Sequence, residues 1–155
     1  ADERSLIPVS PWSDIGDLDT LEKVGITFHL SSFTSQVSLK LWGSGEVYRE
    51  FLYVEDLADA CVYLMENIEA EDMRNLCTDY FVNIGTGKDL KIKELSMIIK
   101  DIIGFNGEIV HDLTKPDGTT RKLLDVSKLK ELGWNPKVSL EEGIRRTYEW
   151  YLEKC

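Results

Sequence analysis

Three cations, Lys115, Arg121 and Lys122, stand in the stretch KPDGTTRKLLD (115–125), around a Pro-Asp-Gly segment with little apolar content. A planar guanidinium beside ammonium groups on a loop is suited to holding an oxyanion such as a phosphate. The surrounding chain makes that grouping conspicuous, because its 155 residues include 28 acidic against 18 basic ones and carry a net charge of −10. Such a balance excludes a general nucleic-acid surface, which needs Lys and Arg spread over a wide face. Any anionic ligand is therefore met locally. The competing reading, that these charges only solvate a surface loop, is left open by the residues themselves.

The usual catalytic kits are missing. Neither GSGEVY (43–48) nor GTGKDL (85–90) completes G-x-G-x-x-G, so the dinucleotide-phosphate loop is absent. None of the tyrosines at 48, 53, 63, 80, 148 and 151 has a lysine four residues later, which removes the Tyr-x-x-x-Lys pair that moves a proton in many dehydrogenases. His29 and His111 lack the neighbouring ligands of a zinc site and read as strand or surface residues. There is no G-x-S-x-G. The expectation is a chain with no catalytic residue, bound metal or cofactor of its own.

Cys61, Cys77 and Cys155 cannot all pair within one chain, and none forms C-x-x-C, which fits a reducing cytosol. No run reaches 18 apolar residues, and ADERSLIPVSPWSD lacks the basic start and apolar centre of a signal peptide. A cytoplasmic protein with no membrane contact follows.

The elements that must position the cations alternate. Val37 to Trp42 alternates apolar and polar as a half-buried strand, closed by the GSG turn at 43–45. Tyr48 to Val54 reads as a second extended run, after which Asp56 caps a helix. That helix carries the stripe Leu57, Ala60, Cys61, Leu64 and Met65 through about Ile68. A polar connector leads to FVNIG (81–85), read as a short buried strand. A helix spans Ile92 to Ile103 and stops at Gly104, and GEIVHDL is a further strand. Short and long helices at Val126 to Leu132 and Ser139 to Glu153 end the chain, the last opening on the capping box S-L-E-E. Interleaved strands and helices in a chain with 43% apolar residues predict an α/β fold. The first 36 residues hold one short helix at most, in DIGDLDTLEKVG, with ITFHLSSFTSQ a loop or edge strand.

Several of these segments together resemble one family. WGSG (42–45), REFLYVEDLADA (49–60), NIGTG (83–87), KPDGTTRKLLD and LGW (132–134) stand in the order found near the C-terminus of extended short-chain dehydrogenases acting on nucleotide sugars. KPDGT followed by RKLLD is the narrower signal and resembles GDP-L-fucose synthases. The resemblance implies a division at 36/37. Residues 1–36 are a divergent segment, and 37–155 a nucleotide-sugar-binding domain from the C-terminal part of a longer enzyme, without the glycine-rich part of its Rossmann fold. In such enzymes the N-terminal part binds NADP(H) and supplies the Ser, Tyr and Lys that epimerise and reduce GDP-4-keto-6-deoxy-D-mannose to GDP-L-fucose. The partners implied are a GDP-sugar, the missing Rossmann part and, for the full-length enzyme, a homodimer.

Carried over by motif, Trp42 and Arg49 contact the nucleotide diphosphate, and Asp117 meets the substrate from a loop that closes over it. Lys115, Arg121 and Lys122 offset the diphosphate charge, and Leu123-Leu124 anchor the loop in the core. The bland alternatives are a core Trp42 and an Arg49 paired on the surface with Glu50, Glu55 or Asp56. Departures from the pattern lie upstream: LIP (6–8) is kept, but VSPWSDIGDLDTLEK has two breakers and four acids where basic residues are expected. Two other readings compete: a fragment of another nucleotide-sugar epimerase or dehydratase, and a non-catalytic interaction module on the same scaffold.

Overall fold

Among the described residues, two small sheets and five helices are built around segments far apart in the chain. The computed structural model describes residues 28–30, 37–76 and 81–154. In the first sheet, strand β2 (Val37–Trp42) lies between β1 (Phe28–Leu30), antiparallel, and β5 (Glu108–Asp112), parallel. Ser38 pairs with Glu108 and Trp42 with Asp112, so β2 and β5 end together. In the second sheet β3 (Tyr48–Glu50) lies between β4 (Asp89–Lys91), antiparallel, and β6 (Arg121–Lys122), parallel. The helices are α1 (Val54–Asn67), α2 (Ala70–Leu76), α3 (Ile92–Ile103), α4 (Ser127–Glu131) and α5 (Leu140–Lys154). The mixed α/β layout is the one expected, and α3 and α5 pack against each other.

Where the sequence signals were local, the elements match them. The α3 helix spans Ile92–Ile103 and ends in left-handed Gly104, as its apolar period and glycine stop require. The Ser139 hydroxyl accepts the Glu142 N–H at 3.2 Å, the first half of the expected capping box. Ala70–Leu76, read as a polar connector, is a helix with no buried residue, which explains why it lacks an apolar stripe. The FVNIG segment pairs with no strand among the described residues. Val82 and Ile84 pack against the core while Phe81 is exposed, so its apolar run marks one-sided packing. Strand β3 stops at Glu50 because helix α1 already begins at Val54. The candidate helix in DIGDLDTLEKVG, LIP, Cys77 and Cys155 fall outside the described residues.

Asp56 does not cap α1. The helix starts after extended Tyr53 with no side-chain cap, and Asp56, in its first turn, is only 3% exposed. Its carboxylate accepts the backbone N–H groups of Lys137 and Val138 at 3.0 and 2.9 Å. One turn on, Asp59 accepts the Trp134 indole N–H at 2.8 Å and the Lys137 ammonium at 2.8 Å. The Tyr63 hydroxyl then donates to the Leu132 carbonyl at 2.9 Å. Gly133 (φ 93°) admits that tyrosine, whose hydroxyl would lie 2.8 Å from any Cβ there. One face of α1 thus clasps residues 132–138 and closes the core of Ala60, Leu129 and Trp134.

The opposite face of α1 is uncovered. Val54, Leu57, Val62 and Met65 are exposed, Met65 to 76%, and so is Cys61, which is unpaired. Of the stripe read from the sequence, Ala60 is buried and Leu64 packs against the core, while Leu57, Cys61 and Met65 face outward.

Replacing Asp56 by Ala leaves two backbone donors without their acceptor. The expected loss of stability is about 1–3 kcal/mol, read as a lower urea midpoint with an unchanged slope. A midpoint equal to wild type would show that water replaces the carboxylate.

Candidate functional site

At the common end of β2 and β5 the chain enters the turn Gly43-Ser44-Gly45, with Gly43 and Gly45 at positive φ of 75° and 72°. A side chain at position 43 would run into the Asp117 carboxylate, so glycine there lets the turn and the KPDG loop touch. Ser44 makes the join. Its N–H donates to Asp117 Oδ1 at 2.8 Å and its hydroxyl to Oδ2 at 2.7 Å. These bonds hold the Asp117 carboxyl below its ordinary range. The Ser44 hydroxyl also accepts the Glu46 N–H at 3.1 Å, and Glu46 bridges Lys91, at 2.6 Å, and Lys93. The loop's other end is fixed by backbone: Lys115 N–H donates to the Asp112 carbonyl at 3.2 Å and Tyr48 N–H to the Thr120 carbonyl at 2.8 Å. The tight turn lies at Leu113-Thr114, just before the Pro-Asp-Gly segment.

Arg49, half-buried on β3, reaches under this loop. Its Nη1 donates to the carbonyls of Tyr48 at 2.5 Å and Thr119 at 2.7 Å, and Nη2 lies close enough to Gly118 that a Cβ there would meet it at 3.1 Å. None of the three carboxylates considered as surface partners holds it. Glu50 binds the NIGTG turn, Glu55 lies 4.0 Å from Arg146, and Asp56 takes the amides of residues 137 and 138. Among the described residues, Nε and Nη2 of Arg49 have no hydrogen-bond partner.

Trp42 is 53% exposed, which removes its reading as a core residue, and the Lys115 ammonium stands 5.2 Å above its ring. Trp42, Arg49, Lys115 and Asp117 therefore gather where the GSG turn meets the KPDG loop. Arg121 is neutralised instead. Its guanidinium forks onto Asp89 at 2.6 and 3.0 Å and lies 5.6 Å from the Tyr48 ring centre. Lys122 sits opposite Arg49 in the β3–β6 register and is exposed, with no ion pair among the described residues. Leu123 and Leu124 do not anchor the loop in the core, since both are exposed; the Leu124 backbone N–H is what is held, by Glu50 at 2.9 Å.

The second glycine turn is also occupied. Thr86 and Gly87 N–H groups converge on one Glu50 oxygen at 2.5 and 2.6 Å, forming an anion-binding nest filled by the chain's own carboxylate. A Cβ at Gly85 would come within 2.5 Å of that oxygen, so the glycine permits the approach. The amides of this turn are committed to Glu50, so this turn does not fit a dinucleotide phosphate. Among the described residues no group of three His, Cys, Asp or Glu could hold a metal, and His111, on β5, turns Nδ1 to the Gly43 carbonyl at 3.2 Å. No helix of the described residues is long and apolar enough to cross a membrane. Reading by residue type misses Ser44 and Glu46, whose one signal is their place beside glycines in the sequence, and the nest role of Glu50, which carries no local signal.

Comparisons with known proteins agree with the motif pattern. Residues 26–147 match the family model described as GDP-mannose 4,6 dehydratase. GDP-L-fucose synthase 1 from Arabidopsis thaliana is 46% identical over 126 residues, which cover 81% of this chain and 36% of the relative. GDP-L-fucose synthase from Escherichia coli (strain K12) is 42% identical over 129 residues, covering 81% of this chain and 40% of the relative. The solved GDP-mannoheptose C4 reductase from Campylobacter jejuni, with NADP bound, superposes with a TM-score of 0.66 at 43% identity, over 74% of this chain and 35% of that one. The chain thus spans well under half the length of these relatives.

The Glu46 bridge has a pH signature. Hydrogen bonds from Lys91 and then Lys93 lower its pKa from 4.5 to about 2. A depressed carboxyl contributes stability above its unfolded pKa and loses that contribution as pH falls through the folded value. Carboxyl NMR should therefore find Glu46 still ionised at pH 3, and Lys91→Met should raise its midpoint. A midpoint near 4.5 in the wild type would mean that the bridge does not form in solution.

Proposed function

This chain belongs to the GDP-mannose 4,6 dehydratase family, and we propose that it is the nucleotide-sugar-holding part of a GDP-L-fucose synthase. In the full-length enzyme an N-terminal Rossmann part would bind NADPH and carry out the epimerisation and reduction of GDP-4-keto-6-deoxy-D-mannose. This part would grip the nucleotide end of that substrate. The observation that carries the proposal is the state of Arg49. Two backbone carbonyls hold one edge of its guanidinium, and among the described residues no carboxylate neutralises it and its remaining nitrogens are available. A guanidinium so fixed can give a diphosphate parallel charge-assisted bonds with little rotamer entropy left to lose. Trp42, which leads into the GSG turn and is exposed and flanked by Lys115, offers a stacking face for a purine or ribose.

The same reading gives the uncovered face of α1 its occupant. A patch containing Val54, Leu57, Val62 and Met65 is unusual on an isolated surface and marks a contact site. The relatives' much greater length is consistent with this face meeting the Rossmann part of the longer enzyme. By itself the chain is expected neither to bind NADPH tightly nor to reduce a keto sugar. A cytoplasmic, homodimeric full-length enzyme completes the proposal.

In the full-length enzyme, Arg49→Ala should weaken GDP binding about ten- to a hundredfold, the cost of losing a charged hydrogen-bonding partner. Arg121→Ala should change it much less, because Asp89 already neutralises that cation. Calorimetric titration of both variants with GDP and UDP decides the matter. Equal losses, or no loss for Arg49→Ala, would remove Arg49 from the nucleotide site.

A further inference from the structure

We propose that Ser44 is a positioning residue that sets the Arg49 guanidinium by latching the KPDG loop, an inference that rests on the reading of Arg49 as the diphosphate grip. Both oxygens of Asp117 are engaged by Ser44, one by its N–H and one by its hydroxyl. The hydroxyl has a defined direction, since its lone pair receives the Glu46 N–H and its proton is left for Asp117. Two residues beyond Asp117, the Thr119 carbonyl accepts the Arg49 Nη1 proton, and Gly118 lies against Nη2. The loop therefore reaches Arg49 through short, directional contacts, and its distance from β3 is fixed by the Ser44–Asp117 join at one end and the Tyr48–Thr120 bond at the other. Glu46, clamped by Lys91 and Lys93, ties the join to the start of α3. Losing the Ser44 hydroxyl frees Asp117 Oδ2 and lets the Thr119 carbonyl drift from Arg49. The diphosphate grip loosens although no atom of Ser44 needs to touch the ligand.

The full-length enzyme provides the test. GDP affinity by calorimetry, and KM and kcat for its nucleotide sugar, are measured for Ser44→Ala, Ser44→Thr, Arg49→Ala and the Ser44→Ala/Arg49→Ala double variant. Ser44→Ala should weaken GDP about three- to tenfold, the range for one hydrogen bond, and raise KM with kcat nearly constant. Ser44→Thr, which keeps the hydroxyl, should recover most of the affinity. On the Arg49→Ala background, Ser44→Ala should cost less than about twofold, because residues acting through one another are not additive. Unchanged GDP affinity in Ser44→Ala, or the same fold-loss with and without Arg49, would overturn the latch. A wild-type affinity in Arg49→Ala would instead overturn the site reading itself, so the two failures are told apart.

Discussion

The Glu50 carboxylate holds together the parts on which the candidate site is built. Projecting from β3, it takes the amides of Thr86 and Gly87 and the Thr86 hydroxyl on one oxygen, and the Leu124 amide on the other. Without it, three backbone donors in two loops would lack an acceptor, and buried or half-buried donors must find one. By fixing the chain just after Lys122, Glu50 keeps β6 in parallel register beside Arg49. The arginine can then be held from above by the loop that precedes β6. A residue adjacent to Arg49 in sequence thus governs its surroundings without contacting it.

The motif residues divide by role once their partners are known. Asp56 and Ala60 of REFLYVEDLADA, with Gly133 and Trp134 of LGW, form the clasp between α1 and the segment before α5. The glycines of NIGTG make room for Glu50. These pieces close the fold, and so they say little about a ligand. The narrower KPDG segment lies over Arg49 and beside Trp42, where the molecule has cationic and aromatic groups left uncommitted.

How legible each part was follows from the range of its determinants. Helix α3 and strands β2 and β5 were read nearly to the residue, because alternation, apolar period and a stopping glycine are local signals. The helix Ala70–Leu76 escapes a sequence reading because it buries nothing, and Asp56 reads as a cap because the amides that donate to its carboxylate lie 81 and 82 residues away. Residue types alone marked the cationic loop, and the family resemblance added Trp42 and Arg49. Neither could show that Arg121 is neutralised by Asp89, since that pairing depends on β4 and β6 flanking the same strand. The Ser44 latch was equally out of reach, because a serine between two glycines reads as a turn until its partner is seen.

The long separations also order events in time. Ser44 and Asp117 are 73 residues apart and Glu50 and Leu124 are 74 apart, and β2 pairs in parallel with β5 across a comparable interval. Loop-closure entropy must be met before such contacts return any stabilisation, whereas α1, α3 and α5 can form from neighbouring residues. The GSG–KPDG junction and the α1 clasp, closed across 73 and up to 82 residues, therefore assemble after the helices. The junction's nascent state leaves β2 with an unpaired edge, and a strand in that condition is a template for pairing with other chains. The chain is most exposed to misassembly during synthesis over the interval between the emergence of β2 and that of β5.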